Sequence, residues 1–124
     1  MTATDDFFAE LERRGHEPML RRLSATVRWD ILDGDRIEHR LVRIDHGDVR
    51  VTVSDEPADC VIIAERVVCD DVVTGRTNAL AALLRGAAAV DGDFELMVPA
   101  QRLLPRTPGA SAGRAVAAVR GRPS

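Results

Sequence analysis

Apolar and polar positions alternate with a period of two across much of residues 25–53, and the spacing turns helical after residue 65. Before the first strand, Phe7, Phe8 and Leu11 fall on one face of a helix. Thr4 is its expected N-cap, Asp5 and Asp6 sit in its first turn, and Gly15 stops it near Arg14. His16-Glu17-Pro18 is a turn, and Pro18 opens a short helix toward Leu23. Ala25, Val27, Trp29 and Ile31 then alternate with Thr26, Arg28 and Asp30, the pattern of a half-buried strand. Asp33-Gly34-Asp35 is a hairpin turn. The second strand, residues 37–44, changes face: Ile37 and Leu41 share one parity, Val42 and Ile44 the other. This predicts either a bulge or burial of both faces. Asp45-His46-Gly47-Asp48 is another tight turn, and Val49, Val51 and Val53 mark a third strand. Ser54-Asp55-Glu56-Pro57 is a loop, and residues 60–64 a short, buried fourth strand.

Beyond that point Val68, Cys69, Val72 and Val73 share a helical face, with Gly75 as the residue that ends it. Thr77 is the expected cap of a second helix in which Leu80, Leu83 and Leu84 cluster, and Gly86 closes it. Residues 87–90 and 94–98 read as two strands around Asp91-Gly92-Asp93. Pro99 starts a last helix with Leu103 and Leu104, ended by Pro105. Residues 106–124 are rich in Pro, Gly, Ala, Ser and Arg, so a disordered tail is expected after a folded domain over residues 1–105.

Composition narrows the function classes. A chain of 124 residues makes one domain with a core of its own. That core is aliphatic, because the chain has only three Phe, one Trp and no Tyr. All 17 basic residues are Arg, which excludes lysine chemistry and suggests a GC-rich, bacterial genome. Residues 1–105 hold 13 Arg and all 20 acidic residues, a net of −7, while residues 106–124 hold four Arg and no acid. An acidic folded part argues against nucleic-acid binding. The basic tail admits two readings, a solvated terminus or a transient contact with an anionic membrane surface or acidic partner. Cys60 and Cys69 have no metal spacing and read as buried, inert thiols. The N-terminus lacks a basic and apolar leader, and no apolar run is long enough for a bilayer. A cytoplasmic protein with reduced thiols is expected.

Little catalytic chemistry is on offer. His46 lies in a turn with Asp45 and Asp48, but no distant ligands join it to make a metal site, so a solvated turn is expected. His39 reads as a half-exposed strand residue. Asp70 and Asp71 are adjacent and point apart on a helix, as a solvated face does. No serine sits in a nucleophile elbow, and no phosphate or dinucleotide loop is present. No metal, cofactor or catalytic residue is expected. Phe7 and Phe8 read as the residues that anchor their helix to the core.

The second half carries a resemblance. Val73-Thr74-Gly75, Asn78, the run Ala81-Ala82-Leu83-Leu84-Arg85-Gly86, Val90-Asp91-Gly92-Asp93, Leu96 and Gln101-Arg102-Leu103-Leu104-Pro105 stand in order. Ala58-Asp59-Cys60-Val61-Ile62 and the Asp33-Gly34 hairpin fit as well. Over about residues 5–105 the chain resembles the sterol carrier protein 2 family in its compact bacterial form. The resemblance implies an α+β fold, a five-stranded, mostly antiparallel sheet with helices on one face enclosing an apolar tunnel. It also implies binding of sterols, fatty acids or acyl-CoA thioesters. The family's peroxisomal tripeptide is absent, since the chain ends Arg-Pro-Ser, and the arginine tail is no part of the shared module.

The expected function is therefore non-enzymatic binding or intracellular transfer of a lipid or other apolar small molecule. Periodicity marks Val72, Leu80, Leu83, Leu84, Phe94, Leu96, Leu103 and Leu104 as candidate contacts, each equally suited to plain core packing. The alternative is an interaction module, its apolar groove filled by a protein partner or by a second copy in a homodimer, accessory to an enzyme.

Overall fold

In a computed structural model that describes residues 2–105, five strands form one sheet. They are β1 (Ser24–Asp33), β2 (Arg36–Asp45), β3 (Asp48–Thr52), β4 (Cys60–Glu65) and β5 (Ala88–Gly92), in the spatial order β3-β2-β1-β4-β5. The β1–β4 pair is parallel and the other three pairs are antiparallel, so the sheet is mixed but mostly antiparallel. Four helices accompany it: α1 (Ala3–Arg14), α2 (Arg66–Val73), α3 (Ala79–Leu84) and α4 (Met97–Ala100). The tail expected to be disordered, residues 106–124, lies outside the described residues.

The parity of the strands decides which face holds the core. Val27, Trp29 and Ile31 of β1, Val42 and Ile44 of β2, and Cys60, Ile62 and Ala64 of β4 join Phe8, Leu11, Cys69, Val72 and Ala82 of the helices in one buried cluster. The other face carries Arg28, Asp30 and His39. The face switch in β2 resolves as burial on both sides. All ten β1–β2 pairs keep one register without a bulge, and Leu41, of opposite parity to Val42, is 1% exposed. Its cover is the connection across residues 53–59, which must pass over β2 and β1 to reach β4. Arg28 fastens that connection by donating from Nη1 to the carbonyls of Asp55 and Glu56, at 3.0 and 2.9 Å.

Local chemistry sets several boundaries. Asp45 and Asp48 pair across a two-residue hairpin loop in which His46 (φ 51°) and Gly47 (φ 90°) both take positive φ, the twist this loop needs. Thr2, not Thr4, caps α1: its hydroxyl accepts from the Asp5 amide while Asp5 accepts from the Thr2 amide. Thr4 is instead fully buried and gives both its amide and its hydroxyl to Asp70 Oδ1, at 3.0 and 2.6 Å, which ties α1 to α2. Asp70 is thus a structural acceptor rather than part of a solvated face. Likewise Asn78 caps α3 in place of Thr77, accepting from Leu80 and Ala81.

The largest departure from the sequence-based expectation lies after β5. Residues 94–98 form no strand. A 3-10 turn (Phe94–Leu96), α4 and a second 3-10 turn (Gln101–Leu103) run on without a break. Asp93 starts this segment by accepting from the Glu95 amide, and Pro99 falls in the first turn of α4, where no backbone donor is needed. Residues 94–103 act as a cap over the helix-bearing face of the sheet.

Candidate functional site

The cap does not close flush on the sheet. Beneath it lies a cavity of about 460 Å³, counting its open mouth. Trp29, Ile62 and Ala64 supply its floor from β1 and β4. Val68, Cys69 and Val72 come from α2, Ala79, Ala82 and Leu83 from α3, and Ala88 and Val90 from β5. The cap contributes Met97, Ala100, Gln101 and Leu104. Those four positions have the i, i+3, i+4, i+7 spacing of one helical face, which explains why this segment coils instead of extending. A second cavity, about 280 Å³ counting its open mouth, lies on the α1 side, lined by Phe7, Leu11, Val27, Trp29, Val42, Ala100, Leu103 and Leu104. Trp29, Ala100 and Leu104 stand in both walls and form the partition between the two.

Of the eight residues marked by periodicity, four line these spaces. Val72 and Leu83 face the larger cavity, Leu103 the smaller, and Leu104 both. Leu80, Leu84, Phe94 and Leu96 line neither. Leu84 and Phe94 are more than half exposed, at the end of α3 and the start of the cap. Leu80 and Leu96 are half-buried, and Leu96 packs against the core cluster. Sequence reasoning passed over Trp29, Val68, Met97, Ala100 and Gln101. The helical spacing of Met97, Ala100, Gln101 and Leu104 was the available signal, obscured by reading residues 94–98 as extended.

No charged side chain and no histidine lines either cavity among the described residues. Cys69 faces the larger one, its thiol 3.8 Å from the Ala64 carbonyl, and burial pushes its pKa up to about 12. Burial also raises Cys60, with Asp93 and Asp59 adding to the effect. Both are free, buried thiols, neutral at physiological pH. His39 lies on the opposite face, with Nδ1 2.7 Å from Asp30 Oδ1. Burial opposes ionisation of Asp30, but hydrogen bonds from Arg28 and His39 outweigh it and hold the carboxyl below its ordinary value. His46 is exposed in its turn and bonds Asp45 at 2.7 Å. No group of three or more His, Cys, Asp or Glu able to hold a metal occurs among the described residues.

Ionic contacts hold the walls rather than line them. Arg66, at the start of α2, reaches Asp5 of α1 at 3.4 Å, Asp33 at 3.2 Å, and Glu38 of β2. Arg40 reaches the same Asp5 at 3.1 Å. Burial raises Asp5, yet the hydrogen bonds from the Thr2 amide and hydroxyl, with Arg66 and Arg40 nearby, leave its pKa lowered. No described helix is long and apolar enough to cross a membrane.

A five-stranded mixed sheet whose single helix-bearing face holds apolar cavities under a C-terminal cap defines a class of small α+β proteins. Comparison with protein families matches residues 8–105 to the SCP-2 sterol transfer family, and the chain belongs to that family. No curated protein matches the chain significantly. Among solved structures, the sterol carrier protein-2 of Aedes aegypti, in complex with the C16 fatty acid palmitate, is similar at TM-score 0.66 and 22% identity. The match covers 85% of this chain and 99% of that one. The ubiquinone synthesis protein UbiJ-SCP2 matches at TM-score 0.60 and 19% identity, over 81% and 86% of the two chains. The inverting sec-alkylsulfatase Pisa1 of Pseudomonas sp. matches at TM-score 0.63 and 18% identity, over 81% of this chain but 16% of the enzyme. At these identities the likeness concerns the fold.

Proposed function

We propose that this protein binds and transfers an apolar small molecule, a lipid of the sterol, fatty acid or acyl-CoA class, without chemical change. The observation that carries this reading is the larger cavity. Its walls are almost wholly apolar, built from the sheet, two helices and the cap, and carry no charged side chain among the described residues. Burial of each ligand methylene contributes about 0.8 kcal/mol, so chain length governs affinity and shape selects only loosely. Val72, Leu83, Leu103 and Leu104 are the contacts proposed from the original set. The two cavities share Trp29, Ala100 and Leu104, so in this reading they serve one ligand. Family membership and the palmitate held by the Aedes aegypti protein support this reading.

Titration with a fluorescent fatty acid, followed by displacement with unlabelled lipids, tests it. Saturable binding that weakens as the competing chain lengthens is expected. No binding of any apolar probe contradicts it.

A second reading rests on Pisa1, in which this fold is a minor part of an enzyme chain. Here the module is accessory to an enzyme, and a partner or second copy covers the apolar groove. Light scattering separates the two: a dimer that takes up no lipid favours this reading over the first.

A further inference from the structure

Both α3 and the cap wall the larger cavity, and both also show apolar side chains to solvent. Leu83 of α3 and Met97 of the cap line the cavity. Their neighbours in sequence, Leu84 and Val98, are 55% and 67% exposed, and Phe94, one turn before Val98, is 53% exposed. On α3, Leu80 and Leu84 share a stripe at i, i+4 spacing. On the cap, Phe94, Val98 and Arg102 share one at i, i+4, i+8. Each stripe lies next to the face that lines the cavity. Scattered exposed apolar residues need no partner, but three large ones on the two elements that frame one cavity mark an interaction surface.

Charge selects the partner. Residues 1–105 carry a net of −7, yet residues 72–90, which include α3, hold Arg76 and Arg85 and no acid. In the cap, Arg102 stands with Glu95 as the one acidic residue. All three arginines are exposed and make no ion pair among the described residues. Asp91 does not offset them: its parity is opposite to that of Val90, which lines the cavity, so it lies on the far face of the sheet with Arg28. Asp93, at the end of β5, accepts from the Glu95 amide. Exposed apolar side chains flanked by unpaired arginines suit an anionic bilayer, where the first enter the acyl boundary and the second meet lipid phosphates. We propose that α3 and the cap dock this protein on an anionic membrane surface, through Leu84, Phe94 and Val98 with Arg76, Arg85 and Arg102. Docking sets the cavity against the bilayer, so an apolar ligand passes between them with less exposure to water. The docking stands on this surface, and its use in ligand transfer rests on the lipid-binding reading above.

Co-sedimentation of the full chain with vesicles tests it, using phosphatidylcholine with and without phosphatidylserine. The protein should bind the anionic vesicles, leave them as salt is raised, and bind the neutral ones far less. Arg76→Gln, Arg85→Gln and Arg102→Gln should each weaken binding by up to about fivefold. Leu84→Ser combined with Val98→Ser should weaken it about tenfold or more. None of these side chains lines a cavity, so the variants should bind a fluorescent fatty acid in solution as the wild type does, which also shows that they fold. Equal binding to both kinds of vesicle overturns the proposal, as does unchanged binding in the Leu84→Ser, Val98→Ser variant. Binding lost only when Arg106, Arg114, Arg120 and Arg122 are replaced by Gln overturns it in favour of the chain beyond the cap. A dimer in solution that the Leu84→Ser, Val98→Ser variant dissociates gives the surface to a second copy and sinks the membrane reading. Fatty-acid binding without vesicle binding overturns the docking and leaves the lipid reading standing. Vesicle binding without fatty-acid binding supports the docking and removes the lipid reading.

Discussion

The Trp29 indole meets the Phe8 ring edge to face, with centroids 5.7 Å apart and planes at 74°. Phe7 continues the stack at 5.2 Å from Phe8. Through this contact α1 fixes the ring that partitions the two cavities, so a residue far from the cap governs the shape of the site. Phe8→Ala should cost about 3–5 kcal/mol of stability, read by denaturant titration, and should red-shift the emission of the sole tryptophan. A variant with unchanged emission would show that Phe8 does not hold Trp29 in place.

Acid should loosen the ionic contacts on both faces of the sheet. Asp5 and Asp30 both sit below their ordinary carboxylate value of 3.8. A lowered folded pKa means that the unfolded chain binds the proton more readily. Their stabilisation is therefore complete above that value and is lost as pH falls through it toward the lower folded pKa. The unfolding midpoint is expected to drop steeply below about pH 4, and Asp30→Asn should flatten that fall. An equal slope in the variant would exclude Asp30 as a source.

Gly92 ends β5 at φ 99°, and a Cβ there would stand 2.5 Å from the Asp59 carbonyl oxygen. The neighbouring Asp93 amide donates to the same oxygen at 2.8 Å, so the backbone has no room to yield. Gly92→Ala is expected to destabilise by about 2 kcal/mol or more and to displace the start of the cap. Thermal unfolding measures the first effect, and ligand affinity the second. Gly34 has positive φ but open space around its Cβ position, so Gly34→Ala should cost less.

Neither thiol should react in the folded protein. Cys69 has a pKa of about 12 and Cys60 is also raised, both first through burial. At about pH 8 an alkylating reagent should modify neither in the native state and both in denaturant, counted by mass spectrometry. Rapid native labelling of Cys69 would mean that the larger cavity opens freely to solvent.

The fold was legible where one local rule acted alone. Alternation located β1 to β3, a short buried apolar run located β4, and the spacing of Val68, Cys69, Val72 and Val73 located α2. The Asp33-Gly34 and His46-Gly47 turns followed from residues that tolerate positive φ. What escaped depended on distant partners. Thr4 looks like a cap until Asp70, across the chain, takes both its donors. Leu41 looks misplaced until the residues 53–59 crossover covers it. Residues 94–98 read as a short, largely apolar strand, yet β5 is the sheet edge beside a cavity lined on one face of the cap by Met97, Ala100, Gln101 and Leu104. The same misreading hid that Gln101, and not Phe94 or Leu96, lines the larger cavity. Nothing in the pattern of apolar residues distinguishes a leucine facing a cavity from one packed in a core, so Leu83 and Leu80 looked alike.

Native mass spectrometry of the protein as purified from its own cells tests the central claim most directly, with Ala100→Phe as the partner sample. Ala100 stands in the wall of both cavities, and a benzyl group there fills space that a ligand would take. The wild type should retain a non-covalent apolar ligand that is released on activation, and folded Ala100→Phe should retain far less. A wild type that is consistently empty and takes up no added lipid would contradict the account.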